Sequence, residues 1–359
     1  MKICIILGTR PEIIKMAPVI RECQKRRLDF FILHTGQHFS PNMDTRFFRD
    51  LKLPQPKYNL GIGSQPHRKQ VGLMTKAIKR ILINEVPNVV IVQGDTISVL
   101  AGALAANKLG IPIAHHEAGL RSHDPSMLEE TNRVTVDHMS DFLFAPTVNA
   151  IKNLKEEGYS LSRIFYSGNT VVDAVLQNLA IAKKRSKILQ KLRLKKGKYL
   201  LVTAHRAENV DKHERLSGIL GGLGLVYEKT KLPIIWPLHP RTKQKIKEFS
   251  LTIPLGVKTI APVGYFDALV LQANARIVMT DSGGLQEEAC TLRVPCVTMR
   301  DNTERPETLK ACSNVLVGAL PERIFAGTMK MLNKKAQWKN PFGDGRAAEK
   351  IIDTILISR

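Results

Sequence analysis

The chain has 359 residues and a formal net charge of +22, with 54 Lys and Arg against 32 Asp and Glu. Its length exceeds that of most single hydrophobic cores and predicts two domains, while 43% hydrophobic and 24% charged residues are typical of a folded protein and exclude a disordered one. The first apolar run is too short for a signal peptide and no later run reaches about 18 apolar residues, so we expect a cytoplasmic protein without a membrane segment.

Short β-branched runs alternate with helical patterns along the chain, which indicates parallel sheets covered by helices. In the first half the predicted strands are residues 2–8, 29–36, 88–95, 111–117, 141–146 and 163–169. The pattern restarts with strands at residues 198–205, 232–240, 256–260, 275–284, 294–301 and 314–318. We predict two doubly wound α/β domains, residues 1–168 and 169–344, with a final helix at 345–359 that can pack on either. Because such sheets bind ligands at the carboxyl ends of their strands, the domains are expected to face a shared cleft.

The first strand leads through Gly8 into a helix that carries Arg10 and Lys15. A glycine here lets the backbone approach a ligand, and the two cations suit phosphate groups. A tight turn without a ligand explains this segment equally well when it is taken alone.

Carboxylates follow two later strands of the first half. Asp95 ends one apolar strand, Glu117 ends the next, and Glu129 and Glu130 open a helix. Burial or a neighbouring cation shifts the pKa of such a strand-end carboxylate, so Glu117 suits a general acid or base. Helix capping is the alternative for Asp95, and favourable first-turn charge is the alternative for at least one of Glu129 and Glu130.

Polar side chains also follow the strands of the second half. His205 leaves the first of them, where a catalytic and a structural role are equally consistent with its position. Residues 281–284, with the sequence DSGG, turn from strand to helix, so their amides and the helix dipole suit a phosphate, although a flexible glycine turn is the simpler alternative. Glu287 and Glu288 suit the hydroxyls of a ribose. With Arg305 after the next strand, this spacing fits a nucleotide diphosphate.

The excess of positive charge is compatible with a nucleic acid or with a small anionic ligand. The densest basic run, residues 183–198, has nine Lys and Arg and no acidic residue, but it lacks the interleaved aromatic side chains that nucleic-acid binding favours. A solvated connector between domains is the simpler interpretation, and we expect no nucleic-acid partner. A small polyanion would also suit a basic protein.

The five cysteines give no sign of a metal site. They form no CxxC pair, have no histidine at zinc-finger spacing and are odd in number. We expect reduced, mostly buried thiols without a catalytic role, and no bound metal.

Taken together, these motifs resemble the non-hydrolysing UDP-N-acetylglucosamine 2-epimerase family. The matching motifs run in order from Gly8 to beyond Gly345 and comprise GTRPEIIKMAP, TGQH, QGDT, HEAGLRS, EETNR, APT, GNTVVDA, TAHRAEN, DSGGLQEEA and RDNTERPE. The resemblance implies two Rossmann-like domains of glycosyltransferase B (GT-B) type, usually in a homodimer. It also implies that UDP-N-acetylglucosamine and UDP-N-acetylmannosamine interconvert through elimination of UDP to 2-acetamidoglucal and re-addition, with no metal or redox cofactor.

The resemblance assigns roles to residues motif by motif. The family's catalytic carboxylates fall on Asp95, Glu117 and Glu129, and its essential histidine falls on His205, with the division between acid and base left open. Residues expected to bind UDP are Arg10, Lys15, Ser282, Gly283, Gly284, Glu288 and Arg305, with Phe266 or Tyr265 beside the uracil.

Two residues depart from the family pattern. Leu128 stands where proline is common before the Glu pair, so the choice between Glu129 and Glu130 stays open at this stage. Ala207 replaces an arginine that is associated in the family with an allosteric UDP-N-acetylglucosamine site. We predict that this site is altered or absent.

Three other functions stand as alternatives. A glycosyltransferase of the same fold would need an acceptor substrate, and a hydrolysing relative would release UDP in step with free N-acetylmannosamine. An RNA-binding protein would lose salt-sensitive RNA binding when residues 183–198 are neutralised.

Overall fold

The computed structural model of the protein describes residues 1–37, 47–63, 66–124 and 127–358. The chain divides into two compact units, Met1–Ala174 together with Phe342–Arg359, and Val175–Pro341. They are called the N-terminal unit and the C-terminal unit here.

The N-terminal unit contains a seven-stranded parallel sheet. Its strands are β1 Lys2–Leu7, β2 Asp29–His34, β3 Tyr58–Asn59, β4 Val89–Gln93, β5 Ile113–His116, β6 Phe142–Ala145 and β7 Ile164–Tyr166. Its helices are α1 Arg10–Lys25, α2 His67–Glu85, α3 Ile97–Asn107, α4 Leu128–Met139, α5 Val148–Glu156 and α6 Thr170–Arg185, the last of which runs on into the C-terminal unit. Every residue of β4 is buried, as expected for a central strand covered on both faces.

The strand order of this sheet, β3–β2–β1–β4–β5–β6–β7, changes direction at β1. β1 pairs with β2 on one side and with β4 on the other, and β4 pairs with β5. The segments that leave β1, β4 and β5 therefore adjoin at one edge of the sheet. Such a switch point is where doubly wound sheets bind ligands.

The C-terminal unit repeats this plan with six parallel strands. They are β8 Leu200–Thr203, β9 Ile234–Pro237, β10 Val257–Ile260, β11 Ile277–Thr280, β12 Cys296–Thr298 and β13 Asn314–Leu316, in the order β10–β9–β8–β11–β12–β13. The helices are α7 Ile188–Lys191, α8 Ala207–Val210, α9 His213–Thr230, α10 Pro240–Glu248, α11 Tyr265–Asn274, α12 Gly283–Thr291, α13 Pro306–Lys310 and α14 Pro321–Leu332. The predicted class, two doubly wound α/β domains, is confirmed.

The basic run at residues 183–198 covers the end of α6, all of α7 and the approach to β8. Its nine Lys and Arg side chains are exposed, while Ile188 between them is buried. Within the described ranges, no helix is long and apolar enough to cross a membrane. All five cysteines are free thiols, and Cys312 is the exposed one among them.

The last helix, α15 Ala347–Ile357, packs on the N-terminal unit. Its buried apolar residues are Ala347, Ala348, Ile351, Ile352 and Ile355. The carboxylate of Asp173, in the first turn of α6, accepts hydrogen bonds from the amides of Ala347 at 3.2 Å and Ala348 at 3.0 Å. Asp173 thus caps a helix that lies far away in the sequence.

The Asp173 cap makes stability depend on pH. Burial raises the pKa of Asp173 to about 6, against the opposing effect of the hydrogen bonds from Ala348 and Ala347. A raised folded-state pKa means that the stability contribution is complete at low pH and is lost as pH rises through about 6. On lowering the pH from about 7.5 to about 5, the free energy of unfolding of the wild type should therefore gain about 1 kcal/mol relative to Asp173→Asn. Denaturant unfolding of both proteins measures this difference, and parallel pH curves would contradict it.

Candidate active site

Acidic and basic side chains meet where β1, β4 and β5 end. A pocket of about 560 Å³ lies in the N-terminal unit at this edge of the sheet. Among its lining residues are Arg10, Gln37, His67, Asp95, Glu129 and Asn132. The sequence predictions for Arg10, Asp95 and Glu129 thus fall on one cavity.

Glu117 is buried beside this edge in a backbone conformation that is rare for a residue with a side chain. Its φ is +72°, in the left-handed region, and such a conformation costs of order 1 kcal/mol or more. Lys15 Nζ lies 2.5 Å from Oε1, Asn169 Nδ2 donates to the same oxygen at 3.0 Å, and Gln93 Nε2 donates to Oε2 at 2.5 Å. A cation and two amides therefore fix this carboxylate in place.

Asp95 follows β4. It does not cap the helix that comes next, which was the alternative to a role in the site. The N-cap of α3 is Thr96, whose hydroxyl accepts the amide of Val99. Asp95 is partly exposed, and its carboxylate pairs with Arg133. Asn132 Nδ2 donates to the Asp95 carbonyl oxygen at 2.9 Å, so two residues of α4 hold Asp95.

The two glutamates at the start of α4 have different surroundings. Glu130 is buried and accepts hydrogen bonds from the Ser122 amide at 2.9 Å, the His123 amide at 3.2 Å and Arg133 at 2.6 Å. Burial raises the pKa of Glu130, but these donors outweigh it and hold the pKa below its usual range. Glu129 is exposed and lines the pocket. The carboxylate of Glu130 is therefore occupied by hydrogen bonds within the fold, whereas that of Glu129 faces solvent, where a ligand can reach it.

The segment after β1 owes its glycine to packing. A Cβ on Gly8 would lie 2.0 Å from Ser98 Oγ and 2.1 Å from Thr35 Oγ1, so no larger residue fits. Glu12 closes a capping box at the start of α1 and accepts the amides of Gly8 and Thr9, each at 2.7 Å. Close packing, rather than ligand approach alone, accounts for the glycine, and the capping box leaves Arg10 exposed at the first position of α1.

In the C-terminal unit, His205 is oriented by Asp281. Its Nδ1 lies 3.1 Å from Asp281 Oδ1, and the amides of His205 and Arg206 donate to Oδ2 at 2.8 and 2.9 Å. Burial raises the pKa of Asp281, but the hydrogen bond and charge of His205 and these amides lower it below its usual range. Asp281 is fully buried, whereas the His205 side chain is 43% exposed. An anchored, accessible imidazole suits a catalytic role.

The start of α12 carries the predicted phosphate site. Ser282 is the N-cap and makes no capping bond with its own side chain, and Gly283 and Gly284 are the first two helical residues. Neither glycine has positive φ, and outside the neighbouring residues and the helix backbone a Cβ would meet its nearest atom at 3.5 Å on Gly283 and 4.0 Å on Gly284. The fold itself does not demand glycine here, which favours a requirement for open amides at the helix N-terminus.

The other predicted UDP-binding residues surround α12. Gln272 Nε2, on α11, donates to Glu288 at 2.7 Å. Glu287 is buried, and Arg305 Nε lies 2.7 Å from its Oε1, so this glutamate holds the arginine. Phe266, at the start of α11, is half-buried. Glu288 is therefore the more accessible member of the glutamate pair.

Sequence reasoning missed several partners of these residues. Arg300, two residues after β12, is buried and binds Glu208 at 2.8 Å and Glu304 at 2.9 Å. Burial raises the pKa of Glu304, but the hydrogen bond and charge of Arg300 outweigh burial and lower this pKa to about 2. Others that were missed are Gln93, Arg133 and Asn169. All of them stand inside motifs quoted for the family, but each has at least one side-chain partner that is distant in sequence.

The described residues contain no group of three or more His, Cys, Asp or Glu arranged to hold a metal ion. The N-terminal unit offers carboxylates, cations and amides at one sheet edge, and the C-terminal unit offers helix amides and the exposed imidazole of His205. Such a set can move protons and bind phosphate.

Comparison with known proteins agrees with the motifs. The model of the UDP-N-acetylglucosamine 2-epimerase family matches residues 21–356. The chain is 53% identical to a UDP-N-acetylglucosamine 2-epimerase of Methanocaldococcus jannaschii, with 98% of each chain covered. It is also 41% identical to a UDP-2,3-diacetamido-2,3-dideoxy-D-glucuronate 2-epimerase of Pseudomonas aeruginosa, with 98% of this chain and 99% of that one covered.

A solved structure gives the same result. The crystal structure of the Methanocaldococcus jannaschii UDP-GlcNAc 2-epimerase in complex with UDP-GlcNAc and UDP matches with a TM-score of 0.88 at 52% identity, and 99% of each chain is covered. The predicted resemblance is confirmed. The chain belongs to the UDP-N-acetylglucosamine 2-epimerase family.

Proposed function

We propose that this protein interconverts UDP-N-acetylglucosamine and UDP-N-acetylmannosamine without hydrolysing them. The observation that carries the proposal is the grouping of Asp95, Glu117 and Glu129 at one sheet edge, beside Arg10 and Lys15, in a chain of this family. A homodimer is part of the same proposal, and light scattering would measure it.

The chemistry explains why carboxylates and cations are both needed. The C2 proton of the sugar is too weakly acidic for direct removal by a carboxylate. When the C1–O bond breaks, its electron pair leaves with UDP and positive charge develops at C1, which acidifies C2. A carboxylate then takes the C2 proton, and 2-acetamidoglucal forms with a C1–C2 double bond.

Re-addition completes the reaction. A carboxylic acid on the opposite face returns a proton to C2, and the UDP oxygen attacks C1, so the configuration at C2 is inverted. Two faces require at least two proton-transfer groups, and Asp95, Glu117 and Glu129 are the proposed set.

The leaving diphosphate needs cations and oriented amides. We assign this role to Arg10, Lys15 and Arg305, together with the amides of Ser282, Gly283 and Gly284. Glu288 is assigned to the ribose hydroxyls, Phe266 to the uracil, and His205 to the diphosphate and departing oxygen. The exposed start of α12 and the anchored imidazole support these assignments.

A modified sugar is the second candidate substrate. The 41% identical relative from Pseudomonas aeruginosa bears the name of a 2-epimerase for a diacetamido glucuronate sugar, and the same C2 chemistry applies to both. Competition between the two UDP sugars, measured as the ratio of kcat/KM, would decide which one the pocket prefers.

Incubation with UDP-N-acetylglucosamine alone in deuterated water tests the proposed reaction. We expect UDP-N-acetylmannosamine with deuterium at C2, because the proton that returns comes from a group that exchanges with solvent. Product without deuterium, or no product in the absence of an acceptor, would contradict the proposal. UDP released in step with product would instead indicate the hydrolysing reaction.

Neighbouring glutamates offer a matched pair of variants. Glu129→Gln should lower kcat by about 100-fold or more, because general acid–base catalysis contributes that much, while UDP binding and thermal stability stay near wild type. Glu130→Gln should lower the thermal stability more than the activity, because its carboxylate accepts two backbone amides and Arg133. The reverse pattern would place Glu130 in the mechanism.

Glu117→Gln should also lose activity. The substitution removes the charge that pairs with Lys15 but keeps an acceptor and the size of the side chain. Turnover should fall by about 100-fold or more, with UDP still bound, as calorimetry would measure. Near-normal turnover would remove Glu117 from the set of proton-transfer groups.

The glycines of α12 separate folding from binding. Gly283→Ala should leave stability unchanged or slightly raised, because its Cβ would be in ordinary contact and alanine favours a helix by about 1 kcal/mol. UDP affinity should nevertheless fall by about tenfold, which corresponds to about 1.4 kcal/mol. Gly72→Ala on α2, where a Cβ meets open space, is the control and should bind UDP normally. Equal UDP affinities in both variants would contradict the phosphate assignment.

A further inference from the structure

His115 and Asp137 form a buried hydrogen-bonded pair, and neither residue belongs to the proposed set of proton-transfer groups. His115 lies on β5, two residues before Glu117, and Asp137 lies on α4, two turns after Glu129. Both side chains have no exposed surface. Charged and polar groups are rarely buried so completely unless every partner is satisfied.

Both ring nitrogens of His115 face acceptors. Nδ1 lies 2.6 Å from Asp137 Oδ1, and Nε2 lies 2.8 Å from the carbonyl oxygen of Gly94. A carbonyl oxygen can only accept, so Nε2 carries a proton and donates to Gly94. The ring therefore joins the Gly94 carbonyl on one side to the carboxylate of Asp137 on the other.

Asp137 has two further partners. Besides His115, it accepts the amide of Gly119 at 3.0 Å, and Arg121 Nη2 lies 2.7 Å from its Oδ2. Burial raises the pKa of Asp137, but the charge and hydrogen bond of His115, together with Arg121, hold it below its usual range. Asp137 is thus a carboxylate with donors on both oxygens.

The carbonyl that His115 binds belongs to the peptide bond leading into Asp95. Gly94 has a φ of +85°, and its amide donates to the carbonyl of His116 at 3.0 Å. On the other side of Asp95, Asn132 binds the carbonyl oxygen, and Arg133 binds the carboxylate. Three groups of Asp95 are therefore each held by a donor. His115 holds the peptide before it, Asn132 holds the peptide after it, and Arg133 holds its carboxylate.

These three donors connect Asp95 to a single helix. Asn132 and Arg133 lie on α4, and His115 is attached to α4 through Asp137. The same helix begins with Glu129. One rigid element thus sets the position of two of the proposed proton-transfer groups relative to each other.

Asp137 also fixes the turn that follows Glu117. Gly119 has a φ of +75°, and a Cβ there would lie 2.4 Å from the carbonyl oxygen of Ala150, so only glycine fits. Its amide is the one that donates to Asp137. The pair His115–Asp137 is therefore bonded to the backbone on both sides of the site, beside Asp95 and beyond Glu117.

We propose that His115 is a positioning residue for Asp95, and that its bond to the Gly94 carbonyl orients this carboxylate toward C2 of the sugar. The proposal rests on the proposed function, since that function assigns Asp95 to proton transfer. A role in packing alone would give a different result, because loss of packing lowers stability without a selective effect on turnover.

Two substitutions separate the two bonds of the ring. The amide nitrogen of Asn stands near the position of Nδ1, and that of Gln near the position of Nε2. His115→Asn keeps a donor to Asp137 and loses the bond to Gly94, whereas His115→Gln keeps a donor to Gly94 and loses the bond to Asp137. Both variants replace the same ring by a side-chain amide, so each is the control for the other.

The proposal predicts that His115→Asn loses kcat by about tenfold to 100-fold, the effect of a misplaced catalytic group, with KM and UDP affinity within about threefold of wild type. His115→Gln should keep kcat within about threefold. The deuterium isotope effect on kcat for substrate labelled at C2 should rise in His115→Asn, because proton transfer becomes slower. Wild-type kcat in His115→Asn, or equal losses in both variants, would overturn the proposal.

A measurement on the wild type keeps the proposal testable if the Asn variant does not fold. Nitrogen NMR of ¹⁵N-histidine protein, with His115 assigned by comparison with the Gln variant, should show a proton on Nε2, the ring nitrogen that faces the Gly94 carbonyl. An unprotonated Nε2 would overturn the proposal. Lack of epimerisation by the wild type would remove the proposed function together with this proposal, whereas normal turnover in His115→Asn would remove this proposal alone.

Discussion

The buried ion pair between Lys15 and Glu117 is the contact on which the N-terminal site depends. The two side chains are 16% and 6% exposed and approach to 2.5 Å. Removing one partner of such a pair typically costs about 3–5 kcal/mol, because the other charge is left buried alone. The pair joins α1 to the end of β5, Gln93 adds a bond from β4, and Asn169 adds one from the residue before α6. Glu117 keeps its left-handed conformation because these partners hold it.

Parallel strands explain how residues distant in sequence come together. The segments after β1, β4 and β5 adjoin because these strands are neighbours in the sheet, and α4 then brings Glu129 to the same pocket. In the C-terminal unit, β8 and β11 pair directly, which places Asp281 against the loop of His205. The doubly wound fold thus brings the strand-end residues close together, and buried carboxylates such as Asp281 fix the orientation of the site side chains.

Much of the fold and many site residues could be predicted from the sequence, because strand periodicity and the motifs at strand ends are local. The choice between Glu129 and Glu130 could not, because it depends on donors from Ser122 and His123 that only the folded loop brings near. Asp281 was expected only to turn the chain into α12, yet its carboxylate anchors His205. Contacts across the sheet leave no periodic signal in the sequence.

The central claim is that UDP leaves and returns while carboxylates move the proton at C2. Supplying the wild-type protein with 2-acetamidoglucal and UDP at high concentration tests it most directly. The account predicts that both UDP-N-acetylglucosamine and UDP-N-acetylmannosamine form, because re-addition can occur from either face. Failure to form either sugar nucleotide, by a preparation that epimerises UDP-N-acetylglucosamine, would contradict the account.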